Sequence, residues 1–479
     1  MTDTSTRTFV LLGSLAGSLF LSGCVVDPSE LSDSSLGEGN AYQGAQRSHP
    51  MLSAGRWWDC FDDRGLNELI RRLDKENPSL AVALARYDRS RAELGLSRAD
   101  QFPRITGDAD ANRKRDSSSG VFVPNELTYN EFRMALNLEY EIDLWGRVRR
   151  LVESAEAEAE AAEADWAATR LSLRSELARN YFQLRFLDAE IDVLRQSLKL
   201  REENLRLVRA RIEGGETTDL DLARAETERE ATRAQLLGLE RERATYFHAL
   251  AALTGEVPST FSLPGGGLKS PPAIPAGIPS DLLSRRPDIV AADRRMDGAA
   301  ARIGAVKASY LPRISLTGMG GLSSLDLADL FNPSSLFGEI GPQVEVPIYN
   351  GGRSGVDIDR AFADSDEAVA LYRETALQAF REVEDALSGI RFLDREIRAH
   401  EAAASAAERA ARISRKRYEG GLVSFLDVVD AERTSLSEKR ELVQAQSARL
   451  LQTVQLIQAL GGGWEVPLEE SDSTTEKAD

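Results

Sequence analysis

The chain has 479 residues, 28% of them charged and only 6% aromatic, with 77 acidic side chains against 59 basic ones. A net charge of −18 argues against a nucleic-acid partner, because surfaces that bind nucleic acid are basic. Many charges and few aromatics fit long polar helices better than a large mixed α/β core.

Residues 1–24, MTDTSTRTFVLLGSLAGSLFLSGC, carry one Arg and then an apolar run, the pattern of a secretory signal peptide over residues 1–23. The run closes on Leu21-Ser22-Gly23-Cys24. Cleavage before Cys24, with lipid added to its sulfur, is what a bacterial lipobox implies; the alternative is an ordinary signal with an incidental Cys. Val25 stands where an Asp would favour retention at the inner membrane, so the outer membrane is the expected destination. Residues 24–60 then form a lipidated N-terminal segment, and Cys60 is left as a single thiol with no disulfide framework. No later stretch is long and apolar enough for a membrane-spanning helix.

From about residue 61 the chain says nearly the same thing twice. RFLDAEI at 185–191 returns as RFLDREI at 391–397, Gly146-Arg147 as Gly352-Arg353, and EGGETTDLDLARAE at 213–226 as EGGLVSFLDVVDAE at 419–432, all 206 residues apart. Upstream the offset is 209: FPRIT at 102–106 answers LPRIS at 311–315. The spacing is far too long for a solenoid or propeller unit. It indicates a duplication, with a loop expected to absorb the three-residue difference. The first repeat covers 61–255 and the second 281–463. Between them lies a Pro/Gly-rich connector, 256–280, and residues 464–479 form a polar tail.

Each half predicts a helix, two extended segments, a very long helix, a Gly-Gly break and a further helix. Asn77-Pro78 and Pro287-Asp288 are suited to helix starts, Asn as a cap, Pro in the first turn and Asp at the positive end of the dipole. Residues 147–213 contain no Pro and no interior Gly, and 154–170 are rich in strong helix formers. That helix would run roughly 100 Å and needs partners along its side. Long helices are expected over 147–253 and 354–460. Val429, Leu436, Val443, Leu450 and Ile457 recur every seven residues, the stripe of a packed coiled coil.

The extended segments form hairpins over 102–145 and 311–349. Phe132, Met134, Leu136, Leu138, Tyr140, Ile142 and Leu144 alternate with mainly polar residues, and Ile340, Val344, Val346 and Ile348 alternate with Glu339, Gln343 and Glu345. Such a period is either a half-buried soluble sheet or a barrel strand in a membrane. Four strands cannot close a barrel, and lipid tolerates no open edge, so the membrane reading requires oligomers: eight strands from two copies, twelve from three.

Taken together, LSGC at 21–24, RWWDCFDDRGLNELI at 56–70, LWGR at 144–147, IPSDLLSRRPDI at 278–289, YNGGR at 349–353 and ALGGGW at 459–464 resemble the outer-membrane channels of tripartite efflux pumps, the TolC-like family, in its lipoprotein branch. The resemblance covers nearly all of the mature chain. It implies an α+β fold in which a homotrimer builds a twelve-stranded transmembrane β-barrel, four strands per chain, continued by a long α-helical periplasmic barrel. The implied function is passive conduction of drugs or other small molecules from an inner-membrane RND-type transporter to the exterior, through a periplasmic adaptor protein. No cofactor is implied beyond covalent lipid on Cys24. The resemblance places Gly214, Gly215, Gly420 and Gly421 at the tip turns, where the adaptor docks, and Asp221, Asp427, Asp430 and Tyr418 at the periplasmic gate. Asp219 and Asp221 also suit helix starts, so a purely structural role stays open for these acids. Val423 stands where the best-studied relative has an arginine in its closing network, which puts a salt-bridge lock in doubt.

Two further readings remain within reach: a duct for protein or peptide secretion, and a structural periplasmic lipoprotein. An enzyme is not expected, since His49, His248 and His400 are scattered and no nucleophile motif or phosphate loop occurs.

Overall fold

The computed structural model describes residues 56–115, 128–266, 272, 274, 283 and 285–463. The signal peptide, Cys24, the lipidated segment up to residue 55, residues 267–271, 273 and 275–280 of the connector, and the tail lie outside the described residues.

A short 3-10 turn, Trp57–Phe61, leads into helix α1, Arg64–Glu76. Asp63 caps α1 by accepting from the backbone N–H of Gly65 at 2.8 Å and Leu66 at 3.1 Å. Leu66, Leu69, Ile70 and Leu73, at i, i+3, i+4 and i+7, are fully buried along one side. Helix α2, Pro78–Ala99, follows at once, its first turn held by Asn77, whose Oδ1 accepts from Leu80 N–H at 2.9 Å. Strands β1, Arg104–Arg115, and β2, Thr128–Ile142, precede helix α3, Arg147–Glu213, and helix α4, Asp219–Leu253. The second half repeats the order: α5, Pro287–Ala308; β3, Arg313–Ser324; β4, Leu336–Glu345; α6, Arg353–Glu419; α7, Phe425–Ala459. The paired helices have equal lengths, 67 residues for α3 and α6 and 35 for α4 and α7. Helix α1 covers residues that the sequence reading took as part of the motif at 56–70 and not as a helix.

One expectation for the hairpins is corrected. Strand β2 has 15 residues and β4 has 10, while three residues separate β2 from Gly146 and six separate β4 from Gly352; residues 116–127, where the expected loop would fall, lie outside the described residues. The alternation expected through Val346 and Ile348 outruns the strand, which ends at Glu345. Pro347 sits in that stretch without an N–H to donate.

The strands form one antiparallel sheet in the order β1-β2-β3-β4, so β2 and β3 join the two halves. Antiparallel partners point to the same side. The register therefore sorts the chemistry: Leu138 pairs with Ile105 and Gly318, Met134 with Ala109 and Leu322, and Ile314 with Ile142 and Val344. On the other face Asn137 pairs with Thr106, Glu139 with Arg104 and Thr317, and Ser315 with Gln343. The apolar face is bare, with Leu136 at 62% and Ile340 at 71% exposure. The polar face carries its own contacts, including Lys114 with Glu131 and the Arg133 guanidinium 5.2 Å from the Phe337 ring centre. Gly321 lets β2 approach closely: a Cβ there would stand 2.0 Å from the Met134 carbonyl oxygen.

Strand passes to helix at Gly146 and Gly352, with φ of +80° and +85°, which is why both LWGR and YNGGR carry glycine there. Asp143 closes the start of α3 by accepting from Val148 and Arg149 N–H. Helix α3 packs against α2, α4, α5 and α7, and α6 against α5 and α7. The largest apolar cluster joins Trp57, Trp58, Phe61 and the buried side of α1 to Leu177, Tyr181 and Phe182 of α3, with Leu450, Val454 and Ile457 of α7 beneath them. Burial there pushes the free Cys60 thiol up to about 12. Val429, Leu450 and Ile457 are buried and Leu436 and Val443 pack on neighbouring clusters, so the heptad stripe is a packed seam.

Nearer the Gly-Gly turns an ion cluster ties all four long helices. Arg201 of α3, 2% exposed, lies 3.3 Å from Glu228 of α4 and 3.2 Å from Glu432 of α7. Asn204 donates to Glu432 at 2.9 Å, Arg415 of α6 donates to Asn204, and Arg433 donates to Glu228. Burial pushes the Glu432 carboxyl above its ordinary range in spite of these donors. A carboxyl raised in the folded state favours folding at low pH, and that contribution is lost as pH rises through the raised value.

Replacing Gly321 with Val is expected to force β2 and β3 apart and to lower the yield of folded protein extracted from outer membranes. Arg201→Ala leaves two buried carboxylates facing each other and is expected to cost about 3–5 kcal/mol, read as a lowered denaturant midpoint.

Candidate gate at the helical turns

Both long helices end in the same backbone device. Gly215 N–H donates to Ile212 C=O at 2.9 Å and Glu216 N–H to Arg211 C=O at 2.8 Å; Gly421 and Leu422 make the same bonds to Tyr418 and Arg417. This is a Schellman ending, which needs a left-handed residue just past the helix. Gly215 and Gly421 supply it, with φ of +74° and +72°. Gly214 and Gly420 sit at φ −80° and −84°, so the positive φ of each turn falls on the second glycine only.

The next helices then begin, and the acids divide by role. Asp221 and Asp427 are equivalent in the repeat, each third in its helix. Asp427 completes a capping box with Ser424: its carboxylate accepts from the Ser424 backbone N–H at 2.9 Å and hydroxyl at 2.6 Å. Those bonds from Ser424 hold the Asp427 carboxyl below its ordinary value of 3.8. Asp221 accepts from the Thr217 hydroxyl at 2.6 Å and from Arg224 at 3.3 Å, while Thr218, the counterpart of Ser424, makes no side-chain cap. Asp430 lies one turn further on, exposed, and its carboxylate has no hydrogen-bond partner within the described residues. Of the three carboxylates named from the sequence, it is the one without a hydrogen bond among the described residues, although its charge acts on Arg433 one turn on. Ser424 was not singled out in the sequence, although Ser-Phe-Leu-Asp at 424–427 has the spacing of the box.

Tyr418 lies inside, 5% exposed, 5.5 Å from the Phe425 ring in a cluster with Leu205, Val208, Val428 and Val429. Its hydroxyl is buried without a hydrogen-bond partner among the described residues. Val423 packs partly buried against the same cluster, so this turn is closed by apolar contact. The side chain that joins the two turns is one the sequence reading passed over. Arg211 donates to the carbonyls of Tyr418 at 3.0 Å and Glu419 at 2.8 Å, with its guanidinium 4.5 Å from the Tyr418 ring centre. Two carbonyls at the negative end of α6 and an aromatic face make a strong seat for a cation.

Among the described residues no group of His, Cys, Asp and Glu could hold a metal ion, and no helix is long and apolar enough to cross a membrane. The family model for outer membrane efflux proteins matches residues 69–256 and again 278–462, the two halves of the duplication. The chain is 33% identical over 425 residues to the outer membrane protein OprJ of Pseudomonas aeruginosa, covering 88% of this chain and 89% of OprJ. It is 31% identical over 412 residues to the cation efflux system protein CusC of Escherichia coli O6:H1, covering 85% and 88%. The solved CmeC outer membrane channel of Campylobacter jejuni superposes with a TM-score of 0.84 at 26% identity, over 89% of this chain and 92% of that one. With the family pattern matched across both halves, the chain belongs to the outer membrane efflux protein family.

Proposed function

We propose that three copies of this chain close one twelve-stranded barrel in the outer membrane and that their helices continue it as a periplasmic duct, gated at the Gly-Gly turns. As a family member the chain is an outer-membrane efflux channel. The observation that carries the finer reading is the register: four strands with one apolar and one polar face, and edges at β1 and β4 that are unpaired among the described residues. Such a sheet satisfies lipid only when each β1 meets a β4 of another copy. The apolar face then meets acyl chains and the polar face lines water.

In a trimer Asp430 repeats as a ring of three, and Asp221 with Asp427 as a ring of six at equivalent helix starts. Rings of carboxylate favour cations at a constriction. Tyr418 and Val423 contribute the apolar closure around them. The turns at Gly214-Gly215 and Gly420-Gly421 are where a periplasmic adaptor would dock, linking the duct to an inner-membrane RND-type transporter. That transporter would select the drugs or other small molecules exported. The relatives' names differ in what they carry, and CusC is named for cations. Lipid on Cys24 would anchor the N-terminal segment to the membrane that the barrel crosses.

Planar-bilayer conductance of the detergent-purified protein tests this reading. Cation-selective channels from a trimeric species are expected, and a monomer that never inserts would refute it. Asp430→Ala should raise conductance and reduce cation preference. Asp427→Ala should do the same while also removing a helix cap, and Asp427→Asn isolates the charge. Unchanged conductance and selectivity in the Asp427 and Asp430 variants, single and double, would remove both from the gate. Because Ser424 holds the Asp427 carboxyl low, its charge and its share of the cap are present above the ordinary carboxylate value. Both are lost only as pH falls through the depressed one, so cation preference should persist at pH 5.

A further inference from the structure

Arg417 occupies in the second half the place that Arg211 has in the first, 206 residues on. Arg211 is seated within the chain on the carbonyls of Tyr418 and Glu419. Arg417 is exposed, and its guanidinium has no hydrogen-bond or ion-pair partner among the described residues. The carbonyls equivalent to those of Tyr418 and Glu419 belong to Ile212 and Glu213, at the end of α3, and that helix terminus carries the same negative partial charge. We propose that Arg417 clasps the carbonyls of Ile212 and Glu213 of a second copy of this chain, and that this seam between copies is the one that parts when the channel opens. The inference rests on the trimeric channel reading and adds to it where the assembly is held and where it yields.

The second clause follows from a comparison of the two seams. Within the chain, the halves meet at Arg211 backed by the Tyr418–Phe425 pair and by the buried ion cluster of Arg201, Asn204 and Glu228. The duplication carries the same geometry to the seam between copies, but not the same residues. Ile212 replaces Tyr418 and Asp219 replaces Phe425, so the guanidinium of Arg417 meets no aromatic face. Ala407, Ala410 and Thr434 stand in the places of Arg201, Asn204 and Glu228, and Glu226, in the place of Glu432, pairs with Arg209 at 2.9 Å on the exposed surface, so the buried cluster has no buried counterpart. What remains to hold the seam is a charge-assisted pair of hydrogen bonds close to solvent. Such a contact can be broken and remade, whereas the seam within the chain is desolvated and multiply bonded.

The test uses the full chain in planar bilayers, on preparations first shown to be trimers. Arg417→Ala should raise the mean conductance at least about threefold, the shift in open population expected when one charge-assisted contact per seam is lost. Arg417→Lys, which keeps the charge with fewer donors, should lie between. Under oxidation the Glu213→Cys/Arg417→Cys double variant should run as a covalent trimer on a denaturing gel. Its conductance should fall below that of the parent protein and recover with reductant. Arg417→Ala trimers that conduct like the parent, or a cross-link that closes within one chain, would overturn the proposal. A parent protein that is neither trimeric nor conducting would instead refute the channel reading beneath it.

Discussion

A strand edge in hydrocarbon has no water to satisfy its N–H and C=O groups, and the four-stranded sheet has two such edges. Most other features answer to that constraint. The apolar face of β1 to β4 is contiguous because the register never slips, and a slip of one residue anywhere would have put charge on that face. The halves meet edge to edge at β2 and β3 inside the chain, which leaves β1 and β4 as the matched pair for a neighbour. The glycines of β3, above all Gly321, bring the backbones close at that central joint.

Duplication then determines what the helices can do. Helices of 67 residues are stable only with company along their sides, and a single chain supplies that company unevenly. Helix α3 is covered on several sides, whereas α6 keeps a longer open flank. In the proposed trimer, repeat symmetry would make the open flank of one copy the complement of another. The two halves have diverged in the residues that fill the seams: aromatic rings and a buried ion cluster inside the chain, isoleucine, alanine and threonine at the equivalent places. In the proposed trimer, a tube of equal elements would thereby have unequal joints, as the proposed gate requires.

Much of this architecture was legible in the sequence because it rests on local chemistry. Long runs without Pro or Gly gave the helices almost to the residue, and strict alternation in β2 gave a strand with two unlike faces. Asn77 and Pro78 marked the start of α2 as caps do elsewhere. Alternation alone overran the end of β4, since Val346 and Ile348 keep the period while Pro347 cannot keep the ladder. Helix α1 carried a plain i, i+3, i+4, i+7 signal that was absorbed into a motif instead of being read as a helix. At the turns, glycine and aspartate were visible by position, but their division of labour was not. That Asp427 caps, while Asp430 makes no side-chain hydrogen bond among the described residues, depends on Ser424 three residues before one of them. That Arg211 seats on Tyr418, and Arg201 on Glu228 and Glu432, depends on contacts spanning 27 to more than 200 residues, which no local pattern encodes.

The pairing of edges between copies carries the whole account, and amide hydrogen exchange on the detergent-solubilised protein reads it directly. The account predicts that alternate amides of β1 and β4, those not bonded to β2 or β3, are as protected as the amides of the two central strands. Fast exchange at those edge amides, with protection confined to β2 and β3, would mean that the sheet ends where the chain ends and would contradict it.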